Sequence, residues 1–557
     1  MLILRVFCLT GFLFAICCFF YFWYFVPYHL CFKEQLQLFI FSSSYLSSYF
    51  SKSASLACIA GDFLIQFFYF KGIGAVIVTL LLAIECLLFF SVLKHFSIKR
   101  YALLWSFLPV LFEWFTIPYS FSMSISFSFI IAVCAFLLYA KYSGKIVLAI
   151  LIPLVYMMAG ASVFLLLFLT IIYDIHCGRK RYVYWTAVLV FSFALPFFLR
   201  YFYLFTLKQA YFYPYSGVKQ IVNLIVSASV ILLFMCIKSL RGENSGIRYL
   251  ALTLAGLVSV LFLGLIKTTD RKQEHLFGII VESYHDNWDK VLEIAEKANL
   301  QNSIATCYTN MALSKNSLLG ERLLDFYQPS SSGLLLPNTH GIGWFTIFCC
   351  SDAYYYVGDV DMAQHAAMLG LMSSPYQRSG RLVERLVETN MANGDIPVAM
   401  KYVRMLESTL FHKINLSVFE NKPPKMTFTE DIIRSSSNTR ILLEFLTEGN
   451  PDNTPALNYL LCYHLLNKDI PAFFEAYKSY YKDKANTVPK VYAQALLIYF
   501  DANKIPADEV AKYNLRPEII SSFADYISAY KMSYGDYDIL QKNFQNTYWL
   551  FFHFANS

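Results

Sequence analysis

The chain has 557 residues, of which 57% are hydrophobic, 18% aromatic and only 15% charged, where a water-soluble protein carries roughly a quarter charged residues. The net charge of +7 conceals a split: residues 1–267 hold 19 Lys/Arg against 6 Asp/Glu, and the remainder holds 26 against 32. The basic excess thus belongs to membrane-flanking cations, and the acidic remainder has no basic stripe with interleaved aromatics, so nucleic acid is not an expected partner.

At the N-terminus, Arg5 precedes an apolar run that reaches Val26. No small-residue cleavage site follows it, so the run reads as a retained transmembrane helix rather than a signal peptide. Further apolar runs lie at 73–93, 101–118, 121–140, 146–159, 161–175, 183–199, 220–237 and 248–266, against the roughly 20 residues that a spanning helix needs. The stretch 145–175 breaks at Ala159-Gly160-Ala161, with Lys141 and Lys145 before it and Arg179-Lys180-Arg181 after it. The positive-inside rule puts both of those ends in the cytoplasm. The stretch is therefore expected to be a re-entrant-like hairpin, tolerated only where protein or a cavity covers its break. Nine passes follow, with the N-terminus cytoplasmic and residues 268–557 outside; for a bacterial inner membrane that means a periplasmic tail. Twelve cations then fall on the cytoplasmic side and seven on the other.

The first external loop, 27–72, is unusually apolar. Leu36, Phe39, Tyr45 and Tyr49, then Phe63 and Phe67, recur at helical spacing, with Ser42–Ser44 and Gly61 as breaks. Such a loop is expected to lie in the interface or against the bundle.

Six acids in 267 residues make each one informative. Asp174 and Glu243 stand beside Lys/Arg at helix ends, where charge pairing explains them. Glu34, Asp62, Glu85 and Glu113 do not, and intramembrane carboxyls are functional candidates by default. Structural alternatives exist: Asp62 as a helix N-cap after Gly61, Glu34 as a solvated partner of Lys33, and Glu85 neutral or paired within the bundle. Opposite charge at the outer helix ends comes from Arg200, Lys208, Lys219 and Lys267. A carboxylate can take the proton of an acceptor hydroxyl, and Arg200 with Lys208 can stabilise a phosphate leaving group. Glu113 would be a supporting acid.

The tail, 268–557, reads as helices joined by short polar turns. Gly358-Asp359-Val360-Asp361-Met362-Ala363 is echoed by Gly394-Asp395-Ile396-Pro397-Val398-Ala399 and, more weakly, by Lys468-Asp469-Ile470-Pro471-Ala472-Phe473. These phrases resemble the turns of tetratricopeptide repeats, whose unit is about 34 residues, and imply an α-solenoid with a concave groove. Asp359 and Asp361 imitate a DxD motif but read as turn residues. None of the 13 cysteines has CxxC or Cys/His zinc spacing, so no metal site is expected. The fold expected is all-α: a polytopic bundle over 1–267 and a tetratricopeptide-like solenoid over 268–557.

Glu34-Gln35, followed by Gly61-Asp62-Phe63-Leu64-Ile65-Gln66-Phe67-Phe68-Tyr69 and Gly72, resembles a family of Bacteroidota membrane proteins with a polytopic N-terminal half and a helical-repeat C-terminal half. That family carries no established activity. More distantly, the layout is similar to GT-C glycosyltransferases, where a first-loop acid serves as base or metal ligand. The matching positions here are Glu34 and Asp62, although the loop has neither DxD nor ExD. The resemblance implies transfer of a sugar from a polyprenyl-linked donor to a periplasmic protein or glycan held in the solenoid groove. The rival expectation is a membrane-anchored scaffold for envelope assembly or secretion.

Overall fold

A computed structural model of the chain describes residues 2–97, 102–119, 122–215, 218–236, 255–256, 270–336, 343–414, 438–482 and 487–555. Among them the protein is all-α, with no strands. It divides into two compact units: Met1–Glu274 with Ser408–His412, and His275–Glu407 with Lys413–Ser557.

The first unit begins with α1 (Leu2–Tyr24) and α2 (Pro27–Gln35). Pro27 sits in the first turn of α2, where its missing N–H costs nothing and its fixed φ suits a helix start, and the chain turns by 67° between the two helices. Then come α3 (Ser43–Ser48), α4 (Ser55–Ile65), α5 (Ile73–His95), α6 (Ala102–Thr116) and α7 (Ser124–Tyr142). The unit continues with α8 (Lys145–Ala159), α9 (Val163–His176), α10 (Tyr182–Tyr203), α11 (Leu207–Phe212) and α12 (Val218–Cys236).

Four helical segments among the described residues are long and apolar enough to cross a membrane, or five if α1 and α2 form one bent span. This is fewer than the nine passes expected. One reason is length, since α6 has 15 residues and reaches only about 22 Å where the hydrocarbon core is about 30 Å thick; another is that α8 and α9 count together as one segment. The expected span at 248–266 lies outside the described residues apart from 255–256.

Lys145–His176 counts as one 32-residue apolar segment, yet its side-chain bonds show that it doubles back. Tyr184 Oη donates to the Lys145 carbonyl at 2.7 Å, and the adjacent Trp185 Nε1 donates to Asp174 at 3.2 Å. A straight helix would hold Lys145 and Asp174 about 43 Å apart, too far for neighbouring side chains to reach both. The reversal occurs at Gly160, where φ is +62° and a Cβ would stand 2.3 Å from the Tyr213 carbonyl. Its tip is covered by protein: Ala161 N–H donates to Tyr213 O at 2.9 Å, and Ser162 Oγ lies 3.0 Å from Tyr215 Oη. At the open end Asp174 also accepts from Tyr139 and Arg179.

The apolar stretch 27–72 folds as short helices packed on the bundle. Helix α4 crosses α7 closely enough that a Cβ on Gly61 would meet Ser124 N at 2.7 Å. Gly61 is therefore a contact point and not a break, and Asp62 lies inside a helix that starts at Ser55 rather than at an N-cap.

The second unit is built of helical hairpins. Helices 344–357, 360–373, 380–393 and 396–407 each pack on the next. The repeated phrases form the hairpin turns. Gly358 and Gly394 take positive φ of 93° and 82°, and Lys468 takes 59°; such left-handed residues end a helix. Asp359 then caps the next helix by accepting from Met362 N–H, and Asp469 does the same from Ala472 N–H. Tyr308, Asp352, Arg381 and Arg385 form a network inside this unit. Asp352 accepts from Tyr308 and Arg381 through one oxygen and from Arg385, at 2.9 Å, through the other.

Candidate functional site

Helix α2 carries Lys33 and Glu34 side by side, and its position is fixed at both ends. At its N-terminus the Glu274 carboxylate accepts the backbone N–H groups of Tyr28 and His29 at 2.6 and 3.2 Å, a capping interaction supplied from far along the chain. Burial pushes the Glu274 carboxyl up to about 8, against the two N–H groups and Lys71. Near the C-terminal end, Glu34 Oε1 lies 2.6 Å from His412 Nε2, and both residues are buried. Glu34 is thus not a solvated partner of Lys33.

The segment Ser408–His412 belongs to the first unit. Phe41 N–H donates to the Ser408 carbonyl at 2.7 Å. The Phe411 ring packs on Phe67, Tyr69 and Phe70, with centroids 5.6, 5.8 and 5.0 Å away. This aromatic seat places His412 against Glu34. The carboxylate fixes the orientation of the imidazole and favours the tautomer protonated on Nε2.

Glu34, Gln37, Asp62, Gln66 and His412 line one cleft of about 260 Å³. Its enclosed part has room for about one water. Asp62 accepts from Tyr49 Oη at 2.7 Å, and Tyr49 Oη lies 2.7 Å from Tyr45 Oη. Burial, with the Asp62 charge beside it, pushes the Tyr49 hydroxyl well above its usual range, so it stays a donor. Gln37 is 5% exposed, and neither its amide nitrogen nor its amide oxygen has a protein partner. A buried amide left unsatisfied costs free energy of about 1–3 kcal/mol, which a polar ligand in the cleft would recover.

Glu113 lies elsewhere. It is buried in α6, accepts from Ser126 and Asn223, and lines a second cavity of about 330 Å³ together with Lys33. Lys33 Nζ donates to the Ile117 carbonyl in that cavity at 2.6 Å. Adjacent residues of α2 therefore face two different cavities. Arg200 donates to Tyr201 and stacks on Phe197 of its own helix, and Lys208 is exposed on α11. Neither lines the Glu34 cleft. The loop that carries Lys208 does reach α4, through Tyr213 Oη at 3.5 Å from Cys58 Sγ, one turn before Asp62.

The structure thus brings Glu34 and Asp62 together and keeps Glu113, Arg200 and Lys208 apart from them. Sequence reasoning missed His412, Gln37 and the donor role of Tyr49. Tyr45 and Tyr49 had helical spacing as a signal, but His412 had none beyond its apolar neighbours Leu410 and Phe411 in a polar tail. Among the described residues no group of three or more His, Cys, Asp or Glu is placed to hold a metal.

The chain belongs to DUF6057, a family of unknown function, whose model matches residues 2–555. No curated protein and no solved structure matches it.

Proposed function

We propose that this DUF6057 member is a membrane glycosyltransferase with a GT-C-like layout. It moves a sugar from a polyprenyl-linked donor to a periplasmic protein or glycan. The observation that carries the reading is one cleft lined by the Glu34–His412 pair, Asp62 and the unpartnered amide of Gln37. A sugar hydroxyl offers both a donor and an acceptor to such an amide. Asp62, half-buried with Tyr49 on one oxygen, takes the proton of the acceptor hydroxyl. The Glu34–His412 pair lies beside it and holds the polar wall of the cleft. Arg200 and Lys208, at the ends of helices flanking the Leu204–Thr206 turn, lie outside the cleft, and in this reading they attract the donor's lipid phosphates to the membrane surface rather than touch the leaving group. In this reading the protein sits in a bacterial inner membrane with its N-terminus cytoplasmic. The hairpins of residues 268–557 form a periplasmic tetratricopeptide-like solenoid that holds the acceptor.

The test is glycan profiling of the envelope in a deletion strain complemented with wild type, Asp62→Asn or Gln37→Ala. The reading predicts that a glycan missing from the deletion strain returns with wild type and stays at least 100-fold reduced with Asp62→Asn, at equal protein level. A specific observation favours a second reading, a membrane-anchored scaffold for envelope assembly or secretion: the enclosed part of the cleft is no larger than about one water. Full complementation by both variants, with failure on deletion of residues 275–407, selects the scaffold.

A further inference from the structure

The second cavity sits beside a group of oxygens that no positive charge among the described residues is bonded to. Glu85 on α5 is wholly buried and lies against Glu113 on α6. Ser126 on α7 stands between the two carboxyls, but its single hydroxyl proton goes to Glu113. Asn223 on α12 gives its amide N–H to the other oxygen of Glu113. Both carboxyl oxygens of Glu85, and the amide oxygen of Asn223, are left without a donor although both residues are at least nine-tenths buried. Two helices, α5 and α6, therefore bring carboxyl oxygens against one another, with Ser126 and Asn223 beside them. In a bundle interior such an arrangement is held only if something positive lies between them.

Among the described residues, the cation that lines this cavity is Lys33. Its ammonium lines the cavity that Glu113 also lines, but it is engaged by the Ile117 carbonyl. With both carboxyls ionised, two negative charges against one ammonium leave one negative charge. The unpartnered atoms of this group are all oxygens, the ligand type of hard cations. With only two carboxylates and otherwise neutral oxygens, the charge suits a monovalent ion rather than a divalent one.

We propose that Glu85, Glu113, Ser126 and Asn223 form a binding site for one monovalent hard cation of the sodium class inside the helical bundle. Glu85 supplies both free oxygens, Glu113 the second carboxylate, and Ser126 Oγ and Asn223 Oδ1 the neutral ligands. Such sites in membrane bundles couple an ion to the arrangement of the helices that share it. Here those helices include α6, whose end is tied through Ile117 to Lys33, the neighbour of Glu34 on α2. The proposal does not depend on the transferase reading.

The test uses the full-length protein in nanodiscs and radioactive sodium as the probe. The expected result is saturable binding of about one ion per chain, weakened at least 10-fold in Glu85→Gln and measurably in Asn223→Ala. Absence of saturable binding, or binding unchanged by Glu85→Gln, overturns it. If Glu85→Gln does not fold, the wild type decides alone. Its unfolding temperature should rise with sodium chloride over N-methylglucamine chloride at constant pH and ionic strength. A temperature that follows pH and is equal in the two salts means that a shared proton fills the gap, and the sodium site is rejected.

Discussion

Glu34 and His412 are 378 residues apart in sequence and 2.6 Å apart in space. Neither is exposed enough for water to replace the other, so removing one partner leaves a buried polar group uncompensated. Breaking such a pair from one side costs about 3–5 kcal/mol, while removing both sides costs less. A thermal-unfolding cycle over Glu34→Gln, His412→Gln and the double variant should therefore be non-additive, with coupling of at least about 1 kcal/mol. Additive losses would mean that the two residues are neighbours without a working bond. A second residue-scale case lies in the other unit, at Asp352. Burial alone would raise its carboxyl, but Arg381 and Arg385 outweigh that and hold it below the usual carboxylate range. A lowered folded-state value gives stability that is present above the unfolded value, near 4, and is lost as pH falls through the folded one. Asp352→Asn should thus be destabilised by about 3–5 kcal/mol at neutral pH, since Arg381 is left buried and unpaired. The gap to wild type should narrow only below about pH 4. A gap that stays constant down to pH 3 would assign the loss to packing instead of charge.

Helices are what the sequence displayed best, and the reason is compositional. Apolar runs at 73–93, 121–140 and 183–199 became Ile73–His95, Ser124–Tyr142 and Tyr182–Tyr203, because 19 to 23 apolar residues leave the backbone no partner but itself. The repeated phrases likewise became helix ends, with Asp359 and Asp469 as caps, since positive φ and an N-cap carboxylate are local demands. What stayed hidden was tertiary. Gly61 looked like a breaker, yet it is the place where α4 meets the backbone of α7, and only the crossing partner reveals that. The same holds for His412, whose role depends on the aromatic seat made by Phe67, Tyr69 and Phe70. The crossing gives an element-scale prediction. Gly61→Val places a branched side chain against the Ser124 and Met123 backbone, with contacts below 3.0 Å already at Cβ. Backbone cannot swing aside like a side chain, so the cost should reach or exceed the about 1–3 kcal/mol typical of overpacking. Because Asp62 follows directly, the variant should also disturb the Tyr49–Asp62 bond. Unchanged thermal stability in Gly61→Val would show that α4 does not approach α7 this closely.

At the scale of the whole molecule, chain direction through the bilayer turns on the segment Lys145–His176. Hydropathy alone reads its 32 residues as one long span, and a single crossing would put its two ends on opposite faces of the membrane. The bonds from Tyr184 to Lys145 and from Trp185 to Asp174 require the ends to meet. The cations at both ends, Lys141 and Lys145 with Arg179 and Arg181, agree with this because each would otherwise place one cluster on the translocated side. The tip at Gly160 instead binds the loop that carries Lys208. Native Cys177 is exposed just after α9, so it reports one end, and Lys145→Cys reports the other. Lys208→Cys reports the level of the tip, and Tyr534→Cys, 98% exposed, reports the tail. With the other cysteines replaced, a membrane-impermeant maleimide applied to sealed vesicles of known orientation should label Lys145→Cys and Cys177 from the same face. Lys208→Cys should label from the opposite face, and Tyr534→Cys with it if the charge pattern sets the topology. Labelling of positions 145 and 177 from opposite faces would straighten the hairpin and move every later segment, with the tail, to the other side. A hairpin confirmed by the first pair but a tail that labels with Cys177 would leave the turn at Gly160 intact. It would place the change of side after residue 208, in the stretch that includes 248–266.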